Sequence, residues 1–307
     1  MAGMVQTVFP ALGTVNSITV YDAEQKQAVM KAKDYILSLE QRLSVFRADS
    51  EISRLNAKAG AWVQVSEDTF SLLQESVRYA ELTEGAFDIT AGPLSKLWRE
   101  AIRTEQPPKE AALRREKRLV NYRDLLLDEG RKQAGLRRAG QCVDLGGIAK
   151  GYAADRITEK LRHEGVRNAL LNLGGTVGAL GEAQNIGIRN PLQPTGEPLG
   201  FLSLQDAFAV TSGVYERGFT QNGVRYHHIL DPRSGMPANT GLCAVTLIGT
   251  NATELDALAT ATLILGAKDA LPILQAHGIE AVFVTDTGEV LVTPNLKSTF
   301  RLLKKGA

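Results

Sequence analysis

The chain has 307 residues, enough for one large domain or two modest ones with a sizeable core. A composition of 44% hydrophobic and 22% charged residues excludes a disordered chain, and 35 basic against 34 acidic side chains, a net charge of +1, argues against binding nucleic acid through bulk charge. The two cysteines, Cys142 and Cys243, are far apart, which excludes a disulfide scaffold and a cysteine zinc site.

The N-terminal MAGMVQTVFPALGT lacks a basic region followed by a long apolar stretch, so no signal peptide is expected. That favours a cytoplasmic location, or an extracytoplasmic one if a leader has been removed. No run of about 18 apolar residues is present to span a membrane; the most apolar segment, 255–267, is short and carries Asp256. Alternation over 15–21 predicts a strand. Val29, Ala32, Ile36, Leu39 and Leu43 predict a helix over 24–43, and Phe70, Leu73, Val77 and Ala80 another over 66–82. The stretch 99–138 carries 12 basic and 7 acidic side chains, read as a solvated surface or a protein-docking face, and Pro107-Pro108 interrupts it. Beyond 141 come a helix over 151–164, a buried strand in ALLNLGG, strands near 184–189, 199–204, 207–211, 224–230, 242–249, 279–285 and 289–293, and helices near 254–266 and 268–277. Strands and helices without strict βαβ alternation predict an α+β fold with a mixed or antiparallel sheet.

Several familiar signatures fail. In GGIAKG (146–151) the lysine precedes the last glycine and no Ser or Thr follows, so it is not a phosphate loop of the Walker type. LNLGGTVGALG resembles a dinucleotide fingerprint, but strand-like residues and Pro191 follow where a helix should start. HExxH and GxSxG are absent, and His163, His227, His228 and His277 are too scattered for a histidine metal site. What remains is oxygen chemistry. Asp256 and Thr260 lie four apart at the start of an apolar helix, on one face. Either Asp256 is a helix N-terminal acid held by free amides, or it belongs to a hard-cation site for Mg²⁺. In YHHILDPRSG (226–235) adjacent histidines on a strand point oppositely, so one at most faces a given cleft; such a histidine is either structural or a general base. Asp88 in GAFDITAGPL either caps a turn or bonds a ligand. Phe46 is either a core residue or an exposed face for a flat ring.

Taken in order, ALGT (11–14), RLSVFRADSEISRLN (42–56), GAFDITAGPLSKLW (85–98), VDLGGIAKGYAADRI (143–157), LLNLGG (170–175), VTSGVYERGF (210–219), YHHILDPRSGMPA (226–238) and LDALATA (255–261) resemble the FAD:protein FMN transferase family, the ApbE-like proteins. The resemblance implies an α+β flavin transferase spanning 1–307 as one domain, with an N-terminal and a C-terminal lobe around an FAD cleft. It implies Mg²⁺-dependent transfer of FMN from FAD to a threonine or serine hydroxyl of an acceptor flavoprotein, with release of AMP. By the family pattern, Asp256, Thr260 and the backbone oxygen of Ala149 hold the metal, and His228 is the base. Asp88 recognises the adenosine half, Ser44, Val45 and Phe46 lie against the flavin, and Leu12, Lys150 and Asp155 belong to the FAD site. Two departures stand out: Leu12 where the family usually has methionine, and Phe46 where it commonly has tyrosine; both keep the apolar surface. Lys150 and the glycine loops at 146–151 and 174–175 supply charge and amide donors suited to a pyrophosphate. An FAD pyrophosphatase would use the same site with water as acceptor. A non-enzymatic FAD carrier would keep Phe46 and Asp88 without needing Asp256, Thr260 and His228 together.

Overall fold

In the computed structural model, which describes residues 3–193 and 197–303, local patterns assemble into antiparallel sheets flanked by helices. The first half contains β1 (Val5–Ala11), β2 (Thr14–Val20), α1 (Lys26–Leu43), α2 (Glu51–Ala57), β3 (Trp62–Gln64), α3 (Glu67–Leu82), α4 (Gly92–Thr104), α5 (Glu110–Lys117), β4 (Leu125–Asp128) and β5 (Gln133–Leu136). The second half contains α6 (Ala149–His163), β6 (Ala169–Leu173), β7 (Thr176–Leu180), β8 (Gln184–Arg189), β9 (Pro198–Leu204), β10 (Ala207–Gly213), β11 (Gly218–Gln221), β12 (Val224–His227) and β13 (Leu242–Gly249). It ends with α7 (Ala252–Leu265), α8 (Ala267–Ala276), β14 (Glu280–Thr285), β15 (Val290–Val292) and β16 (Phe300–Leu302). No helix among the described residues is long and apolar enough to cross a membrane.

The chain divides into two compact units, and they are not its N- and C-terminal halves as expected. The first gathers Met1–Leu37, Lys150–Gly213 and Gly241–Ala307; the second gathers Ser38–Ala149 and Val214–Thr240. The reason lies in strand pairing: the β1–β2 hairpin joins β6 through Asn16–Leu173 to Val20–Ala169, which draws the N-terminus into a sheet made mostly of later strands.

The first unit is built on an eight-stranded sheet of order β1-β2-β6-β7-β10-β13-β14-β15, with every neighbour antiparallel. The mixed-sheet alternative is thereby excluded for this unit. Helix α7 packs on β10 and β13, and α8 packs on α7. α7 is apolar nearly all round because it is buried nearly all round. A smaller sheet, β16-β9-β8, contributes Ile188, Leu202, Leu204 and Phe300 to a core shared with Ala209 and Val282.

The second unit holds α2–α5, the sheet β3-β5-β4 and the β11–β12 hairpin. Helix α3 starts where Ser66 accepts from the Thr69 amide at 3.4 Å. Helix α4 presents Leu94, Trp98 and Ala101 to Phe219 and Leu230, at the i, i+4, i+7 spacing of one face. The Trp98 indole donates to the Gly235 carbonyl at 2.8 Å. α5 has no buried residue, so this part of the charged stretch is a solvated surface. Strand β12 stops at His227, three residues short of expectation, and Leu230 bridges Pro237 instead.

Candidate functional site

In the first unit the centre is Asp256, 2% exposed on α7. Its own helix does not use it as a cap. The Asn251 side chain accepts from the Glu254 amide at 2.9 Å. Asp155, reaching from α6, accepts from the Ala252 and Thr253 amides at 2.9 and 2.8 Å and from the Thr253 hydroxyl at 2.5 Å. Both Asp155 oxygens are thus committed to the start of α7, and burial raises its carboxyl above the usual range. Asp256 instead accepts from the Gly151 amide at 2.9 Å and faces the Lys150 ammonium at 3.4 Å. A buried carboxylate needs such donors, and here they come from the first turn of α6, the end that favours negative charge. Thr260 Oγ1, half-buried, lies 3.4 Å from the Asp256 carbonyl oxygen.

Gly151 is what allows this approach. A Cβ there would lie 2.1 Å from the Ala252 carbonyl oxygen and 2.8 Å from the Asp256 Cβ. The glycine of GGIAKG that ruled out a Walker loop therefore serves close helix packing, a use not legible from the motif alone. Leu12 occupies the two-residue turn between β1 and β2, with φ of +53° followed by +72° at Gly13. Positive φ at both positions is the hairpin geometry that matches strand twist, and it is strained for leucine. Such outliers cluster at functional positions.

In the second unit, Phe46 is 74% exposed, so it is not a core residue. The loop before it is fixed: the Ser44 carbonyl accepts from the Ser50 hydroxyl at 2.6 Å and the Ser53 hydroxyl at 3.3 Å, while Ser44 Oγ accepts from the Phe46 amide at 3.2 Å. Val45 between them is half-buried. Arg99 places its guanidinium 4.6 Å from the Phe46 ring centroid and contacts Asp144 at 3.3 Å. Sequence reading missed Arg99, which sits in the charged stretch with nothing local to mark it.

Asp88 is nearly buried, and its carboxylate accepts from the Thr90 amide and hydroxyl at 2.7 and 2.6 Å and from the Tyr122 amide at 2.9 Å. Burial raises its carboxyl above the usual range against those bonds. The turn-capping reading of Asp88 is thus realised in full.

His227, the last residue of β12, is buried, whereas His228 just beyond the strand is half-buried. His227 is buried; its Nε2 lies 2.9 Å from the Ala238 carbonyl and its Nδ1 accepts from the Ile229 amide at 3.3 Å. A carbonyl only accepts, so Nε2 carries the proton. Burial lowers the His227 ring to about 4, and it is neutral at physiological pH. His228 is half-buried, with Nδ1 3.3 Å from the Arg217 carbonyl. By the same rule Nδ1 is the donor in that contact. Burial pushes the thiols of Cys142 and Cys243 up to about 11, so neither is a thiolate nucleophile at neutral pH.

Among the described residues no group of three or more His, Cys, Asp or Glu converges. A metal would rest on one carboxylate with hydroxyl and carbonyl oxygens.

The sequence pattern of the ApbE family matches residues 12–283, which takes in both units. The chain belongs to the ApbE family. Its ApbE relatives include the FAD:protein FMN transferase of Klebsiella pneumoniae, 38% identical over 87% of this chain and 85% of the relative. The FAD:protein FMN transferase of Treponema pallidum is 35% identical over 95% of this chain and 87% of the relative. Among solved ApbE structures, the Thermotoga maritima protein superposes with a TM-score of 0.88 at 30% identity, covering 97% of this chain and 99% of that one. A histidine-to-glycine mutant of the Vibrio cholerae flavin transferase ApbE gives 0.85 at 28% identity, covering 97% and 100%.

Proposed function

We propose that the chain is an FAD:protein FMN transferase acting as one ApbE-like domain to which both units contribute. The observation that carries this reading is the buried Asp256 carboxylate, met by Gly151 and Lys150, in a chain similar along most of its length to FAD:protein FMN transferases. A carrier that only held FAD would have no use for a desolvated acid built into the meeting of two helix N-terminal regions.

The donor set fits Mg²⁺. Asp256 and the Thr260 hydroxyl offer hard oxygens, as does the second lone pair of the Ala149 carbonyl, and this cation takes one or two carboxylates with substrate phosphates completing the shell. These three residues would hold the metal. Mg²⁺ bound there neutralises charge on the pyrophosphate. Lys150 adds a second positive charge beside it. Asp155 contributes as a positioning residue, fixing the first turn of α7 and hence Asp256. Val45 and Phe46 offer apolar surface for the flavin on a loop that Ser44 fixes, and Asp88 holds the loop assigned to the adenosine half.

His228 Nε2 takes the proton from an acceptor threonine or serine hydroxyl. The acceptor oxygen bonds to the phosphorus of the FMN half, the pyrophosphate P–O bond breaks, and AMP leaves with the bridging oxygen. The test is incubation with FAD, Mg²⁺ and a candidate flavoprotein, followed by mass analysis of that acceptor and assay of AMP. Acceptor gaining one FMN with stoichiometric AMP is the expected result. FMN and AMP appearing free with no acceptor gain would establish the pyrophosphatase instead, and intact FAD the carrier.

A further inference from the structure

Phe46 poses a physical problem. Its ring is 74% exposed on a loop, and an unconstrained aromatic side chain must lose rotamer freedom when a ligand stacks on it. The backbone is secured by Ser44, Ser50 and Ser53, but the ring is not. Arg99 addresses this. It follows Trp98, which is 1% exposed and bonded to Gly235, so its backbone is anchored in the core of the second unit. Its guanidinium lies 4.6 Å from the ring centroid and is held on its other side by Asp144 Oδ2 at 3.3 Å. Asp144 Oδ1 in turn accepts from the Gly146 amide at 3.0 Å. A continuous chain of contacts thus runs from the GGIAKG loop through Asp144 and Arg99 to Phe46.

We propose that Arg99 is a positioning residue for the flavin ring: it covers one face of Phe46, fixes the ring's orientation, and leaves the opposite face as the shelf for the isoalloxazine. This rests on the reading of the chain as a flavin transferase. The guanidinium is secured at both ends, so a ring entering on the open face displaces nothing, whereas one entering on the covered face forfeits the cation–π contact and the Asp144 pair. Preorganisation of this kind acts on affinity rather than on the chemical step.

The test measures FAD binding by flavin fluorescence, AMP binding by calorimetry, and transfer kinetics. It uses the wild type, Arg99→Ala, Arg99→Lys, Phe46→Ala and the Phe46→Ala/Arg99→Ala double variant. Arg99→Ala should weaken FAD binding about 3- to 10-fold and leave AMP binding unchanged, because AMP lacks the isoalloxazine that would lie on Phe46. The loss should appear in KM for FAD rather than in kcat. Arg99→Lys, which keeps a cation but not the planar fork, should fall between. The double variant should bind FAD no more weakly than Phe46→Ala alone, since Arg99 acts through that ring. Wild-type affinity in Arg99→Ala, tighter binding in it, equal loss for AMP, or independent losses in the double variant would each overturn the assignment while leaving the transferase reading intact. Failure of the wild type to bind FAD would remove both.

Discussion

His227 and His228 are neighbours in sequence and opposites in chemistry. Both nitrogens of His227 are engaged by the segment that follows β12, and its ring stays neutral because burial disfavours the cation. His228 instead turns its Nδ1 to the Arg217 carbonyl at 3.3 Å. Replacement of His228 by alanine should slow FMN transfer by about two or more orders of magnitude while FAD still binds, and His227→Ala should slow it much less. Rates at saturating FAD, with binding measured separately, check this; a larger loss at His227 would reverse the assignment. For Asp256 the informative change is Asp256→Asn, which keeps an acceptor for the Gly151 amide while removing the charge. Mg²⁺-dependent turnover should be lost while the unfolding midpoint moves little; retained turnover would return Asp256 to a purely structural role. At this scale the Asp256–Thr260 spacing was legible in the sequence, while the preference for His228 over His227 came from the family resemblance. The partners were not legible. Gly151, Lys150 and Asp155 reach Asp256 or its helix across about a hundred residues, and no local pattern encodes a contact of that range.

At the scale of elements, the meeting of α6 with α7 depends on one missing methyl group. Gly151→Ala would drive a Cβ to 2.1 Å from the Ala252 carbonyl oxygen, where neither backbone can yield without moving a helix. A stability loss of about 1–3 kcal/mol is expected, together with reduced turnover, since the Gly151 amide would shift from Asp256. Denaturant unfolding and the transfer assay read the two effects, and an alanine variant with wild-type stability would mean that the helices slide freely. Long periodic helices such as α1 and α3 were legible because a 3.6-residue period sustained over four turns has few rivals. Strand β1 was not, because Pro10 interrupts its pattern; it is tolerated on β1 because that strand is the edge of the sheet. Helix α4 was hidden by its charge, with Arg99 and Arg103 masking the face formed by Leu94, Trp98 and Ala101. Strands β3, β4 and β5, of three or four residues each, are too short for alternation to register.

For the whole molecule, three buried titratable groups tie stability to pH in opposing directions. His227 is lowered to about 4 from an ordinary value near 6.5. The unfolded chain therefore binds a proton that the folded chain refuses, and the stability present above pH 6.5 is lost as pH falls toward 4. Asp88 and Asp155 act in the opposite sense: with folded carboxyls raised by burial, protonation relieves the folded state as pH falls. Unfolding by urea at pH 7 and 4.5, for the wild type and His227→Gln, separates them. The wild type should lose about 2–3 kcal/mol more than the variant over that range; equal losses would exonerate His227. The α+β class was legible from the order of elements. The division into two interleaved units was not, because it is decided by which strands pair, and β2 meets β6 far along the chain.

That pairing imposes an order on synthesis at the ribosome. The β1–β2 hairpin emerges first, yet β6, which completes the inner edge of β2, follows roughly 150 residues later, on the order of ten seconds or more at ordinary elongation rates. After β6, the second unit receives its last segment at Thr240, before β13, α7 or β14 exists. The nascent protein thus carries this open strand edge while about half of the 307 residues are made, and the unit that begins first is the one that finishes last. An edge of that kind is a template for wrong pairing until β6 arrives to cover it.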